Sequence, residues 1–221
     1  MRTASAARKD RIIDALVVDD HPVVRNGLCE CLESCGRVRV VGQAGDGETA
    51  YRIYKQLRPD VVVLDLVMPG ISGLEVIRRI RRFDPEARLL VFTAHDHAAY
   101  LERARQAGAN GFLSKERELE DLVDGVLRVA EADPGQAWIG PEAGRRRRSS
   151  ASGRRLEQLT LREFEVFRLL ANGHSTAEVA KLLNISINTV GVHKTRIMHK
   201  LGVANSSQLT LFAIRNGVIK A

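Results

Sequence analysis

Three acidic residues, one hydroxyl and one amine stand directly after short apolar runs in the first half of the chain. They are Asp19, Asp20, Asp65, Thr93 and Lys115. If these side chains converge, the three carboxylates repel one another and their pKa values rise unless a cation lies among them. Mg²⁺ fits, because it binds one or two carboxylates and keeps water and phosphate oxygens as further ligands. One carboxylate is then free to attack phosphorus, which predicts phosphoryl transfer.

Phosphoryl transfer depends on positioning and on charge neutralisation more than on proton chemistry. Lys115 and the metal ion would neutralise the transferred group, and the Thr93 hydroxyl would donate a hydrogen bond to it. The alternative is that the three carboxylates are solvated residues at strand ends. That alternative leaves Thr93 and Lys115, which occupy equivalent positions after two further runs, without a role.

The apolar runs that precede these residues have the composition of strands buried on both faces. They are Ile12–Val18, Val38–Ala44, Val61–Leu64, Leu89–Phe92 and Gly111–Leu113. Between the runs, apolar residues recur at three and four, which predicts helices over Val23–Ser34, Glu48–Leu57, Leu74–Phe83, Ala98–Ala107 and Leu119–Ala130. Ser72 and Glu75 predict a capping box for the third helix. The alternation predicts an α/β fold with a doubly wound, five-stranded parallel sheet, whose ligands bind at the carboxyl ends of the strands.

This pattern resembles the receiver domain of bacterial two-component response regulators, which has a flavodoxin-like fold. The matching segments are DDHPVVRNGL at 19–28, DLVMPGISGLEV at 65–76, FTA at 92–94 and GANGFLSK at 108–115. The resemblance covers nearly all of residues 11–132. One departure is Glu116, where many receivers have proline after the lysine, so we expect a trans peptide bond there.

The resemblance assigns roles to the residues of the acidic cluster. It implies that Asp65 is the phosphoacceptor of a sensor histidine kinase and that Lys115 contacts the phosphate. The implied Mg²⁺ ligands are Asp19 (mainly through water), Asp20, Asp65 and the backbone carbonyl of Val67. The implied switch pair is Thr93 and Phe112, whose hydroxyl and ring respond to the phosphate.

The net positive charge of the chain lies in its C-terminal part. Residues 1–134 contain 20 Lys and Arg against 22 Asp and Glu, whereas residues 135–221 contain 14 against 5, so the net charge of +7 comes from the second segment. This asymmetry predicts contact with a polyanion, nucleic acid being the first candidate. Residues 133–155 are rich in Gly, Ser and Arg and predict a flexible basic linker, which is either a solvated tether or an auxiliary DNA contact.

Residues 156–221 predict an all-α domain of four helices. The capping signals are Thr160 with Glu163, Ser175 with Glu178, Ser186, and Asn205. They open helices over Leu161–Ala171, Thr176–Leu183 and Ile187–Leu201, followed by a last helix after Asn205. In the third of these, the expected buried stripe is Val190, His193, Ile197 and Leu201, and the opposite side is polar. Two helices joined by a tight turn, with a polar face on the second, predict a helix-turn-helix.

The stretch LTLREFEVFRLLANGHSTAEVAKLLNISINTVGVHKTRIMHKLGV closely resembles the LuxR-type helix-turn-helix. A receiver joined to this module is the arrangement of NarL/FixJ-type response regulators. The resemblance implies that Ile187–Leu201 lies in the major groove of double-stranded promoter DNA. Because helix-turn-helix proteins read two half-sites about one helical turn apart, we expect a homodimer when the chain is phosphorylated or DNA-bound, and RNA polymerase is a further candidate partner. The candidate DNA contacts are Asn188, Val192, Lys194, Thr195, Arg196 and His199, with Lys200 a further candidate for phosphate.

Gly191 departs from the LuxR-type pattern, in which lysine commonly follows the Thr-Val pair. The chain loses a cation there, and glycine lowers helix propensity by about 1 kcal/mol relative to alanine. Two interpretations stay open. Either the backbone comes close to DNA at Gly191, or affinity depends more on Thr195, Arg196 and the arginine-rich linker.

No stretch reaches the ~18 apolar residues of a membrane span, and the N-terminus lacks the apolar core of a secretory signal, so we expect a cytoplasmic protein without a membrane partner. The odd number of cysteines, Cys29, Cys31 and Cys35, argues against a disulfide framework and favours packing roles.

The predicted function is that of a DNA-binding transcription regulator in a two-component phosphorelay, switched at Asp65, and not an enzyme. The first alternative is a regulator that binds DNA independently of phosphorylation and keeps the receiver as a structural domain. A second is a phosphohydrolase with Asp65 as covalent nucleophile, which is disfavoured because no dedicated general acid is evident. A third is a helical domain that binds protein instead of DNA.

Overall fold

The computed structural model describes residues 11–68, 70–94, 98–132, 155–156 and 158–219, and the chain divides into two compact units. The first unit contains the strands and the helices between them, and the second contains helices only. Apart from Arg155, the predicted linker over residues 133–155 lies outside the described residues.

The first unit is built on a parallel sheet of five strands. The strands are β1 (Ile13–Val18), β2 (Val38–Ala44), β3 (Val61–Leu64), β4 (Leu89–Thr93) and β5 (Gly111–Ser114), in the order β2-β1-β3-β4-β5. The predicted doubly wound fold is therefore confirmed. β4 and β5 each extend one residue beyond the predicted end, because Thr93 pairs with Ser114 across the two strands.

Five helices connect or follow these strands. They are α1 (Pro22–Ser34), α2 (Gly47–Leu57), α3 (Gly73–Phe83), α4 (Ala98–Ala107) and α5 (Leu119–Glu131). Each was predicted to within one residue at either end. α1 begins one residue earlier than expected because Pro22 occupies the first helical position, where its fixed φ and missing N–H are tolerated.

The predicted capping box of α3 is only half formed. The Ser72 hydroxyl accepts a hydrogen bond from the Glu75 N–H at 3.4 Å, as expected. The Glu75 carboxylate, however, accepts from Arg79 Nε at 3.3 Å, one turn further along the helix. An arginine at i+4 thus engages the group that a full capping box needs. The peptide bond before Glu116 is trans, as predicted, since no described residue has a cis bond.

One face of the sheet packs against α1 and α5 to form an apolar core. Val17, Val63, Leu90 and Leu113 from the strands are at most 2% exposed, and Val126 of α5 is fully buried against them. Cys29 belongs to this core, and Cys29, Cys31 and Cys35 are free thiols. Burial is the main factor that raises the pKa of Cys29 and Cys31, which makes both thiols weak nucleophiles.

Within the described residues, the second unit contains the helices α6 (Leu161–Ala171), α7 (Thr176–Leu182), α8 (Ile187–Leu201) and α9 (Ser206–Arg215). Both predicted capping boxes, at Thr160 and at Ser175, are present. α7 ends one residue before the predicted end, and Asn184 follows in the left-handed region with φ of 50°. α8 packs against α6 and α7 through the fully buried Val190, Ile197 and Leu201. Within the described residues no helix combines the length and the apolar character needed to span a bilayer.

Candidate functional site

The carboxyl edge of the sheet places Asp19 and Asp65 side by side. Asp19 follows β1 and Asp65 follows β3, and these two strands are neighbours in the sheet. The Asp65 N–H donates to the Val18 carbonyl at 2.9 Å, and the Asp19 N–H donates to the Ala44 carbonyl at 3.1 Å. Backbone hydrogen bonds that continue the strand pairing therefore fix where both carboxylates begin.

Lys115 joins the two carboxylates. Its Nζ donates to Asp19 Oδ2 at 2.5 Å and to Asp65 Oδ2 at 2.6 Å, so these two oxygens lie at most 5.1 Å apart, the sum of the two distances. The side chains are 16% exposed for Lys115, 1% for Asp19 and 7% for Asp65. Burial alone lowers the pKa of the Lys115 amine, but the charges and hydrogen bonds of Asp65 and Asp19 outweigh it and raise the pKa. Lys115 is therefore a charged ammonium within an acidic site.

Asp20 carries an oxygen that is buried without a hydrogen bond. No described residue donates a hydrogen bond to Asp20 Oδ1, although His21 Nδ1 lies 2.9 Å away, within ion-pair distance but without hydrogen-bond geometry. Asp19, Asp20 and His21 each offer a ligand atom, and these atoms lie within 4.8 Å of one another. A buried carboxylate oxygen without a donor costs free energy unless a cation balances it. The site thus fits a hard divalent ion with oxygen ligands.

The four predicted metal ligands, Asp19, Asp20, Asp65 and Val67, are connected by different kinds of contact. Asp19 and Asp65 share Lys115, and Asp19 and Asp20 are adjacent in the chain. The Val67 N–H donates to Asp65 Oδ1 at 3.2 Å, which places the Val67 backbone against the acceptor carboxylate. His21 is the N-cap residue of α1, and its Nδ1 lies 3.5 Å from Asp19 Oδ1 and 2.9 Å from Asp20 Oδ1, a proximity that was not predicted.

Two further residues that position the site were missed from the sequence. Arg25 donates from Nη1 to the backbone carbonyl of Asp19 at 2.6 Å, which holds the loop after β1. Gly73 approaches the other acidic loop so closely that a Cβ atom there would lie 2.0 Å from the Asp65 carbonyl oxygen. The Gly73 N–H also donates to the Leu66 carbonyl at 3.0 Å. Neither contact has a sequence signal, because both depend on how α1 and α3 pack on the loops.

The predicted switch residues lie on neighbouring strands. Thr93 ends β4 and is fully buried, and its carbonyl accepts from the Lys115 N–H at 2.8 Å. Phe112 lies on β5 opposite Val91, and its ring is buried. One backbone hydrogen bond therefore joins Thr93, at the end of β4, to Lys115, whose side chain contacts Asp65.

In the second unit, α8 separates buried from exposed residues as predicted. Asn188, Val192, Thr195, Arg196 and His199 are exposed, whereas Lys194 is half-buried. His193, expected in the buried stripe, is also half-buried, and burial lowers the pKa of its imidazole. Apart from Lys194, the predicted DNA contacts therefore lie on the side of α8 that no described helix covers.

Lys200 has a partner within the protein. Its Nζ donates to Glu163 Oε2 at 2.6 Å, and the same carboxylate oxygen accepts from the Thr160 N–H at 2.7 Å in the capping box of α6. Burial raises the pKa of Glu163, but these hydrogen bonds and the Lys200 charge outweigh it and lower the pKa. This ion pair thus links the end of α8 to the start of α6.

Comparison with known proteins gives two family matches. Residues 15–127 match the model described as response regulator receiver domain, and residues 157–213 match the model described as bacterial regulatory proteins, luxR family. The response regulator GacA of Pseudomonas aeruginosa is 33% identical over 215 residues, which cover 95% of this chain and 99% of GacA.

Two solved structures of RcsB are also similar to this chain. One is RcsB from Salmonella enterica serovar Typhimurium bound to promoter P1flhDC in the presence of phosphomimetic BeF3−, with 28% identity, a TM-score of 0.64, and coverage of 90% of this chain and 97% of RcsB. The other contains two RcsB dimers bound to two parallel DNAs, with 30% identity, a TM-score of 0.55, and coverage of 91% and 98%.

Proposed function

Since this chain belongs to the response regulators that join a receiver domain to a LuxR-type DNA-binding domain, we propose that Mg²⁺-dependent phosphorylation of Asp65 by a sensor histidine kinase controls its binding to promoter DNA. The family consists of transcription regulators and not of enzymes. The observation that carries the proposal is the bridge from the Lys115 ammonium to Asp19 and Asp65 at the carboxyl edge of the sheet.

The acceptor carboxylate is oriented by two donors. The Lys115 ammonium contacts Oδ2 and the Val67 N–H contacts Oδ1, so the Asp65 carboxylate is held in one plane before reaction. In the proposed step an Asp65 oxygen bonds to phosphorus while the bond from phosphorus to the kinase histidine nitrogen breaks. Lys115 then neutralises the added negative charge, because its ammonium already lies within hydrogen-bond distance of the reacting carboxylate.

Asp19, Asp20, Asp65 and the Val67 carbonyl would hold the Mg²⁺ ion. When bound, the ion supplies positive charge that offsets the repulsion between the carboxylates and the phosphoryl oxygens. Three carboxylates against one ammonium leave the site with a formal charge of −2, so a divalent ion balances the charge before the phosphoryl group arrives. The buried Asp20 Oδ1, to which no described residue donates a hydrogen bond, supports this assignment.

Phosphorylation would shift the conformational equilibrium at the end of β4. The new phosphoryl oxygens compete for Lys115 and accept from the Thr93 hydroxyl, and Phe112 on the adjacent strand responds by repacking. A local charge change that shifts two packed arrangements is a general mode of switching. The buried positions of Thr93 and Phe112 support it, because moving either residue requires its neighbours to repack.

The output would be DNA binding by α8 as the recognition helix. Asn188, Val192, Thr195, Arg196 and His199 would contact base edges, and Lys194 would contact phosphate. A helix-turn-helix dimer reads two half-sites about one helical turn apart, so we propose a homodimer on DNA. The RcsB structures on promoter DNA and as DNA-bound dimers support this by similarity.

The same proposal fixes the organisation of the chain. Residues 11–132 form the receiver domain, residues 133–155 the basic linker and residues 156–221 the DNA-binding domain. Because its proposed target is promoter DNA, the protein acts in the cytoplasm, and RNA polymerase is a further candidate partner there.

The test uses the full chain, a small phosphoryl donor and a pool of genomic DNA fragments. We expect the wild type to gain one phosphoryl group in Mg²⁺, to gain none in a chelator, and to select promoter fragments more strongly after treatment. Asp65→Asn should gain none and bind as the untreated protein does, whereas Asp124→Asn, at an exposed carboxylate of α5, should behave as the wild type. If the treated wild type and Asp65→Asn bind the same fragments equally well, the regulator works independently of phosphorylation.

A further inference from the structure

The recognition helix α8 presents two exposed apolar side chains. Ile187, its first residue, is 56% exposed, and Val192 is 51% exposed. A single exposed apolar residue is ordinary on a protein surface. These two, however, lie on the helix that the proposed function places in the major groove, where the N-terminal residues of a recognition helix contact base edges. Ile187 is therefore positioned to meet DNA, although its side chain can neither donate nor accept a hydrogen bond.

Gly191 determines how accessible Ile187 is. Ile187, Gly191 and Thr195 follow one another at intervals of four, so they form one row along the helix. Helical side chains lean toward the N-terminus, so a long side chain at position 191 would lie over Ile187. A Cβ atom at Gly191 would meet no atom within 4 Å, so packing within the described residues does not require glycine there.

Thr195 offers this row a hydrogen-bond acceptor and a methyl group, and its donor is engaged within the helix. Its Oγ1 donates to the Gly191 carbonyl at 3.1 Å, so its proton is used within the helix. Neither Ile187 nor Gly191 has a polar side chain, and the lysine that the LuxR-type pattern commonly has at position 191 is absent. The first half of α8 therefore offers hydrocarbon to the groove along one row, with Val192 adjacent.

We infer that Ile187 reads the 5-methyl group of a thymine in the operator and that Gly191 keeps Ile187 accessible to it; the neighbouring Val192 is suited by its side chain to a second thymine methyl as part of the proposed function. Among the four bases only thymine presents a methyl group in the major groove, so it is the base edge that matches an aliphatic side chain. This inference rests on the proposed DNA-binding function and adds the base that the start of α8 selects.

The experiment removes single methyl groups from the DNA. Full-length protein treated with a phosphoryl donor first selects duplexes from genomic fragments, and the shortest selected duplex is resynthesised with deoxyuridine replacing each thymidine in turn. Deoxyuridine keeps the pairing with adenine and lacks only the 5-methyl group. Fluorescence anisotropy then gives Kd for each duplex with the wild type, Ile187→Ala and Val192→Ala. Leu57→Ala, which shortens an exposed apolar residue of α2, is the matched control.

We expect the wild type to bind about fourfold more weakly for each methyl group read, the factor that corresponds to burying one methyl-sized group. Ile187→Ala should lose sensitivity to deoxyuridine at one position of each half-site, and Val192→Ala at a different one. Leu57→Ala should keep the wild-type pattern. Alanine is the best helix former, and position 187 is exposed, so Ile187→Ala keeps the fold.

Two results would overturn the inference alone. They are selective binding that is indifferent to every deoxyuridine, and an Ile187→Ala protein that keeps the full wild-type pattern of sensitivity. A wild-type chain that selects no DNA with or without phosphoryl donor would instead overturn the proposed function, and this inference with it. Gly191→Lys provides a further check, since we expect it to reduce the sensitivity at the Ile187 position and leave that at the Val192 position intact.

Discussion

Replacing Lys115 by methionine keeps the length of the side chain and removes the charge that joins Asp19 to Asp65. Both carboxylates are almost completely buried, and Lys115 lies 2.5 Å from one and 2.6 Å from the other. Breaking a buried ion pair by removing one partner costs roughly 3–5 kcal/mol. Because Lys115 is 16% exposed, water screens part of this interaction, and we expect a loss of about 2–3 kcal/mol in the stability of the first unit.

Hydrogen exchange, measured by mass spectrometry on the full chain, shows which segments lose stability. In Lys115→Met without Mg²⁺, peptides from β1 and β3 should exchange about 30 to 150 times faster, and α8 peptides should be unchanged as an internal reference. Adding Asp65→Asn should recover part of the protection, because it removes one of the unpaired charges. Mg²⁺ should protect Lys115→Met more than it protects the wild type.

The reasoning would be refuted if Lys115→Met exchanged at the wild-type rate in β1 and β3, or if Asp65→Asn made the Lys115→Met protein less stable. Either result would mean that the carboxylates are not a repulsive cluster that the ammonium neutralises. Lys55→Met is the matched control, since Lys55 is an exposed lysine of α2 that contacts the Tyr51 ring and no described carboxylate.

Three further predictions concern glycine positions and one carboxylate. Gly73→Ala should destabilise the first unit by about 1–3 kcal/mol and slow acyl-phosphate formation, since its Cβ would lie 2.0 Å from backbone; Gly27→Ala, with no atom within 4 Å, should do neither in the same exchange and phosphorylation assays. The folded-state pKa of Glu163 lies below the unfolded value, so its contribution to the stability of the second unit should be full above about pH 4.5 and be lost as the pH falls through the folded pKa. Hydrogen exchange of α6, corrected for intrinsic rates, should show this loss of stability. Lys200→Met should make the pH dependence smaller. Gly191→Ala should raise the stability of α8 by up to about 1 kcal/mol in urea unfolding followed by α8 exchange, and a loss would mean that the helix needs glycine there.

The element order was predictable because local signals and burial agree in most of the chain. The runs before Asp19 and Asp65 are almost entirely apolar, which suits central strands of a parallel sheet, and the capping residues Thr160 and Ser175 immediately precede their helices. The predicted ends of strands and helices were wrong by one residue where tertiary contacts decide where the element ends. Thr93 continues β4 because Ser114 is available opposite it, a pairing that a single run cannot reveal.

The site was predictable in its residue types and less so in its contacts. Strand-end positions brought Asp19, Asp65 and Lys115 together as expected, since parallel strands share one carboxyl edge. The Arg25 contact and the close approach of Gly73 depend on the angle at which helices pack, for which the sequence carries no local signal. Lys200, a candidate for phosphate contact, also donates to the Glu163 carboxylate in the capping box of α6, a contact that the sequence did not predict because the two residues lie far apart in the chain.

One side of α8 packs against the rest of the domain and the other side is exposed, and this separation has an evolutionary consequence. The residues that hold the helix in place are Val190, Ile197, Leu201 and Lys200, and the exposed residues from Ile187 to His199 contribute little to the fold. Mutations on the outer side can therefore accumulate at small stability cost, so duplicated copies of such a gene can diverge toward new operators without first acquiring compensating changes. The same division makes the outer side suited to randomised libraries for engineering new target sequences.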